Sequence, residues 1–108
     1  DYVHVMDVAE AHVAALDVLR DGLTGARPVN IGTGVGTSVL EIVAAAERAV
    51  GRPLPHEIVQ RRAGDVARVW ASTDAAAEVL GWRATRDLDT MLADHWNWQS
   101  RNPEGYGG

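Results

Sequence analysis

Apolar positions recur at helical spacing in several stretches of this 108-residue chain, and glycine and proline separate them. After a short alternating segment at residues 2–6, Asp7 stands where a helix N-cap would. Val8, His12, Ala15, Leu16 and Leu19 then fall on one face of a helix running to about Arg20. Gly22, Gly25 and Pro28 break that helix. Pro28-Val29-Asn30-Ile31 reads as a short buried strand, Gly32 to Gly36 as a glycine-rich turn, and Ser38 to Val50 as a second helix closed by Gly51. Past Pro53 and Pro55, Glu57-Ile58-Val59-Gln60 reads as another strand. Arg61 to Arg68 is a polar loop, and Val69-Trp70 a brief extended segment. Ser72 or Thr73 then caps a short helix ending at Gly81. The last helix spans Leu88 to about Ser100, with Leu88, Met91, Leu92 and Trp96 as its inner stripe. No repeat, linker or low-complexity tract intervenes. The expected fold class is α+β: three to four helices with short strands, one domain over residues 1–108, and not a complete doubly wound sheet.

Composition narrows the function. Apolar residues make up 46% and charged residues 23%, which is ordinary for a globular domain with one modest core. The net charge of −5 argues against a nucleic-acid surface, which needs a basic field to displace counterions. The apolar runs are too short to cross a membrane, and no basic segment followed by an apolar one opens the chain, so a cytoplasmic location is expected. Cysteine is absent, which removes disulfides, thiolate chemistry and cysteine zinc sites. All ten basic residues are arginine. A Tyr-x-x-x-Lys pair, a Schiff-base lysine and a P-loop lysine are therefore excluded.

Gly32-Thr33-Gly34-Val35-Gly36 occupies the place between a strand and a helix where a dinucleotide fingerprint would lie, but its spacing is G-x-G-x-G rather than G-x-G-x-x-G. A tight turn leading into a capped helix is the better reading. His4 and His12 sit on different elements and read as satisfied structural histidines, rather than as a metal site or general base, and His95 beside Trp96 reads as packing or surface. Trp70, Trp82, Trp96 and Trp98 read mostly as core or tail anchors, with an open sugar-stacking platform as the alternative. Asp74, Glu78, Asp87, Asp89 and Asp94 read as solvated helix faces and caps. No residue is assigned a catalytic, cofactor-binding or metal-binding role.

Arg61-Arg62-Ala63-Gly64-Asp65 has the chemistry of a nucleotide-sugar contact. The planar fork of Arg62 can pair with phosphate oxygens, Asp65 can accept from both ribose hydroxyls, and Gly64 lets the loop turn so that both reach one ligand. By composition alone a solvated loop is the commoner identity of such a stretch.

This segment, the opening Asp1-Tyr2-Val3-His4-Val5-Met6-Asp7-Val8 and the closing Trp96-Asn97-Trp98-Gln99-Ser100-Arg101-Asn102-Pro103-Glu104-Gly105-Tyr106 together resemble the C-terminal, substrate-binding part of the UDP-glucose 4-epimerases. These are extended short-chain dehydrogenase/reductases, and the resemblance covers nearly the whole chain. It implies that Arg62 binds the pyrophosphate and Asp65 the ribose, that Val39 of the Ser38-Val39 pair lines the uracil pocket, and that Tyr2 lies beside the nucleotide. It implies a UDP-sugar as ligand, an N-terminal Rossmann domain as partner, and NAD as the family's cofactor, with none expected on this chain alone.

Two departures weaken the match. The arginine that precedes the family's Asp-Tyr segment and also binds phosphate is not among these residues, and Val69 stands where many members carry a tyrosine. UDP affinity is therefore expected to be below that of an intact enzyme. Without the Tyr-x-x-x-Lys pair the chain alone is expected to be inert, and without the Rossmann half to self-associate through exposed apolar surface. A nucleotide-sugar dehydratase or decarboxylase of the same superfamily fits Arg62 and Asp65 equally well, but the tail favours the epimerase. A non-enzymatic module that binds nucleotide sugar, or complements a separate dinucleotide domain, is the remaining alternative.

Overall fold

A computed structural model describes residues 1–106, which form four helices: α1 (Val5–Arg20), α2 (Val39–Val50), α3 (Asp74–Leu80) and α4 (Leu88–Arg101). They fall into two compact units. One comprises residues 1–36 and 68–86, the other residues 37–67 and the described residues from 87 on.

The first unit packs α1 against α3 over a small core of Ala11, Ala76 and Trp82, with Ala14, Val29, Ile31, Leu80 and Ala84 around it. Helix α1 begins earlier than its sequence suggests. His4 is the N-cap, and its Nδ1 accepts from the Met6 N–H at 3.0 Å. Asp7, expected as the cap, is instead inside the first turn and fully buried, at 0% exposure. The inner face of α1 also differs from expectation. His4, Asp7 and Ala11 are buried, with Ala14 and Val18 partly so, while His12, Leu16 and Leu19 of the expected stripe are exposed. Small residues allow α3 to approach closely, and the larger apolar side chains of α1 face outward.

In the second unit α2 packs against α4. Helix α2 matches its sequence signals. Ser38 and Glu41 form a capping box, and Gly51 ends the helix in the left-handed region at φ 76°. On α4, Asp87 caps by accepting from the Thr90 N–H at 2.8 Å, and the half-buried stripe is Leu88, Met91, Leu92 and Trp96, as expected. Arg48 on α2 bonds Asp89 on α4 through Nε at 3.1 Å.

The C-terminal tail has a structural role. The Asn102 amide side chain donates to the Trp98 carbonyl at 2.8 Å, Gln99 donates to the Asn102 carbonyl at 3.3 Å, and a positive-φ Gly105 brings the Tyr106 ring to 5.3 Å from that of Trp98.

The short strands expected at residues 28–31 and 57–60 do not form among the described residues. Residues 28–31 keep the alternation that suggested a strand, since Val29 and Ile31 are half-buried while Pro28 and Asn30 are exposed. A strand is a paired state, and period-2 burial does not supply a ladder partner. Residues 57–60 lack even the alternation, being exposed throughout.

Candidate functional site

The second unit carries three of the four residues singled out by sequence. Residues 55–67 run along it without regular structure, all of them exposed. Within this segment the Asp65 N–H donates to the Arg62 carbonyl at 3.3 Å, and Gly64 supplies the left-handed turn at φ 86°. The turn returns the chain on itself, so the Arg62 Nε reaches an Asp65 carboxylate oxygen at 3.2 Å. The Arg62 side chain is 86% exposed and that of Asp65 38%. Sequence spacing thus brings a cation and a carboxylate together on one solvent-facing turn.

Val39 is the first residue of α2 and is 68% exposed. The helix start beside it is already occupied by its own capping groups. The Ser38 N–H and hydroxyl both donate to the Glu41 carboxylate at 2.7 Å, and Ser38 Oγ accepts from the Glu41 N–H at 3.2 Å. The Ser38 amide and then its hydroxyl hold the Glu41 carboxyl below its usual range. What Val39 presents to solvent is an apolar side chain.

Tyr2 belongs to the first unit, two residues before the His4 cap of α1, and is 43% exposed. Its neighbour Asp1 explains the glycine loop. The Thr33 N–H and Gly34 N–H donate to Asp1 Oδ1 and Oδ2 at 3.0 and 3.1 Å. Those are the amides with which such a turn would cradle a phosphate, and here a carboxylate of the chain itself takes them. The residues of this turn do not fit a dinucleotide pyrophosphate.

A second carboxylate cluster lies in the first unit. Buried Asp7 accepts from the Thr85 N–H at 3.3 Å, the Arg86 N–H at 3.1 Å and the Arg86 guanidinium, while Glu10 takes both Arg86 Nη atoms at 3.1 and 2.8 Å. Burial pushes the Asp7 carboxyl up, but the bonds from Arg86 and Thr85 outweigh it and leave it below its ordinary value. The Arg86 guanidinium likewise lowers Glu10, and the two carboxylates raise Arg86. Every member satisfies another, so the cluster is structural. Asp1, Glu10 and Arg86 gave no local sequence signal, because their partners lie 32 to 79 positions away. Among the described residues, no group of three or more histidines and carboxylates is placed to hold a metal, and no helix is long and apolar enough to cross a membrane.

Comparison with known proteins returns one consistent class. No protein-family model matches the chain. A UDP-glucose 4-epimerase of Yersinia pestis is 52% identical over 98% of this chain, and one of Drosophila melanogaster 50% identical over 98%. The chain spans 31% of the length of each. Among solved structures, a UDP-glucose 4-epimerase from Bifidobacterium longum in complex with NAD+ and UDP superposes with a TM-score of 0.89. It is 44% identical, over 98% of this chain and 31% of its own.

Proposed function

We propose, from a chain homologous over nearly its whole length to the C-terminal part of the UDP-glucose 4-epimerases and belonging with them, that residues 1–108 form the nucleotide-sugar-binding domain of such an enzyme. The enzyme would interconvert UDP-glucose and UDP-galactose. Arg62 pairs with the pyrophosphate, Asp65 accepts from the ribose hydroxyls, Val39 packs on the uracil and Tyr2 lies beside the nucleotide. One observation carries this reading: Arg62 and Asp65 stand together on a solvent-facing turn, held chiefly by each other. An exposed ion pair contributes at most about 1 kcal/mol, so a ligand that offers Arg62 two phosphate oxygens and Asp65 two hydroxyls can replace it at little cost.

Holding the nucleotide is what an epimerase needs from this part. Binding energy gathered far from the reacting carbon keeps a loosely held sugar near it. NAD in the N-terminal domain would supply the redox step through a 4-keto intermediate, and no residue here takes part in it. The partners are thus a UDP-sugar and that dinucleotide-binding domain. Without the latter, the outward Val13, Leu16 and Leu19 of α1 favour self-association, read by light scattering as mass rising with concentration.

The test is a titration of the isotope-labelled chain with UDP followed by amide NMR, beside an Arg62→Ala, Asp65→Ala double variant. Saturable shifts at residues 38–39 and 62–65, abolished in the variant, are expected. A well-dispersed spectrum that UDP leaves unmoved would overturn binding by this chain. Interconversion of the two UDP-hexoses by the purified chain with added NAD would overturn its expected inertness.

A further inference from the structure

Residues 53–62 run through the second unit without helix, turn or bend, and residues 55–62 are exposed. Ile58 and Val59 are 82% and 73% exposed, although both are strand formers that ordinarily bury against a neighbour. Among the described residues, none of residues 57–61 makes a hydrogen bond or an ion pair. Their backbone donors and acceptors, and the charges of Glu57 and Arg61, are left to solvent.

Both ends of the segment are tethered. The Leu54 N–H donates to the Glu47 carboxylate of α2 at 2.9 Å, and beyond the segment the Asp65 N–H closes the Gly64 turn on the Arg62 carbonyl at 3.3 Å. Pro55 cannot donate to a ladder and the turn diverts the chain, so what can pair lies between them. A short segment held at both ends loses less freedom on pairing than a loose one. It has the properties of an open sheet edge.

The order of residues decides what such an edge fits. We propose that residues 57–61 pair antiparallel with the same residues of a second copy of this chain, about a two-fold axis through Val59. Glu57 then stands opposite Arg61 of the second copy, and Arg61 opposite its Glu57. Val59 meets Val59 between them, and Ile58 meets Gln60 on the other face. A parallel, in-register pairing sets Glu57 on Glu57 and Arg61 on Arg61, and like charges directly opposite disfavour it. Shifting the antiparallel register by one residue matches Glu57 to Arg62, but it puts Ile58 against Arg61 and calls on a guanidinium that already bonds Asp65. The Val59-centred register matches both charges and leaves the Arg62–Asp65 turn outside the ladder. The pairing therefore stands apart from the nucleotide reading, and it uses a surface distinct from the outward face of α1. A two-stranded ladder this short is marginal in water, so the association is weak and depends on concentration.

The experiment is sedimentation velocity over a dilution series of the full chain. It compares the unaltered protein, Glu57→Arg, Arg61→Glu, the double exchange Glu57→Arg with Arg61→Glu, and an equimolar mixture of the two single variants. Each single reversal sets like charges opposite at both ends of the ladder and is expected to weaken dimerisation about tenfold. The double exchange restores both pairs and should dimerise as the unaltered chain does. The mixture should do the same, because a Glu57→Arg chain meets an Arg61→Glu chain with opposite charges at both ends. Melting temperatures should agree across the set, since both side chains are exposed, so a lost dimer is not a lost fold. Isotope-filtered NOE spectra of mixed labelled and unlabelled unaltered chain should connect Val59 of one copy with Val59 of the other.

A mass unchanged by the single reversals would put the association on another face and overturn the proposal. Single variants that stay monomeric when mixed would assign the edge to a strand of some other partner, which overturns it equally. So would an unaltered chain that is monomeric at every concentration.

Discussion

The loops at residues 32–34 and 61–65 are made of similar parts, a left-handed glycine beside a carboxylate, and they are held in opposite ways. At 32–34 the Asp1 carboxylate takes two backbone amides and a hydroxyl of the loop, with Ala71 as a further donor. Nothing of that carboxylate remains for a ligand. At 61–65 the carboxylate meets only the Arg62 guanidinium and the segment stays exposed from residue 55 to 67. The first loop uses its charge to fix backbone; the second keeps opposite charges adjacent and replaceable. Order and ligand chemistry are therefore divided between the two loops, and perturbing each should have a different readout.

Asp7 gives the largest expected effect, because it is the other inward carboxylate of the first unit. Asp7→Ala leaves the Thr85 and Arg86 amides without an acceptor and opens a fully buried site. Urea denaturation should register a loss of about 3 kcal/mol. The UDP affinity of the chains that remain folded should not change. The pH dependence has a definite sign. Asp7 and Glu10 both titrate below their ordinary values of 3.8 and 4.5, so their contribution is present above those values and is lost as pH falls through the lowered ones. Thermal scans should show the melting temperature declining as the pH falls below about 4. A melting temperature that held steady through that range would contradict the arrangement of this cluster.

Arg62→Ala probes the other loop and should invert the pattern. Losing an ion pair this exposed should change stability by less than about 0.5 kcal/mol, within the scatter of surface substitutions. UDP affinity should fall about tenfold, the scale of one charge-assisted phosphate contact. Calorimetric titration beside a melting curve separates the two quantities. A stability loss like that of Asp7→Ala would mean that residues 61–65 are as firmly built as 32–34.

Legibility in the sequence follows the same division. Local signals were sufficient where structure is local. Ser38 and Gly51 marked the two ends of α2, the α4 stripe was readable from its period, and Arg62, Gly64 and Asp65 lie within one turn. Long-range partners were hidden. Asp7 looked like a cap because an aspartate before an apolar run usually is one, and nothing near it announced Thr85 and Arg86. Asp1 looked like the edge of a motif rather than a junction. The strands at 28–31 and 57–60 were read from composition and alternation, but pairing is a property of two segments and only one of each could be read.

The smallest expected effect sharpens the comparison most, because it sets one glycine of each loop against the other. Gly32 is needed for room: its φ is not in the left-handed region, and a methyl there would overlap the Asp1 carboxylate. Gly64 is needed for conformation: φ is 86° and a methyl there would meet nothing within 4 Å. Gly64→Ala therefore costs only the left-handed backbone penalty, about 1 kcal/mol if the turn is kept. In an exposed segment with so few buried contacts the turn can relax instead, so the melting temperature should fall by less than that penalty implies. Part of the cost then reappears on binding, when Arg62 and Asp65 must be brought back to one face, and UDP affinity should weaken by about threefold. Equal affinity with a full stability loss would mean that the turn is rigid before the ligand arrives.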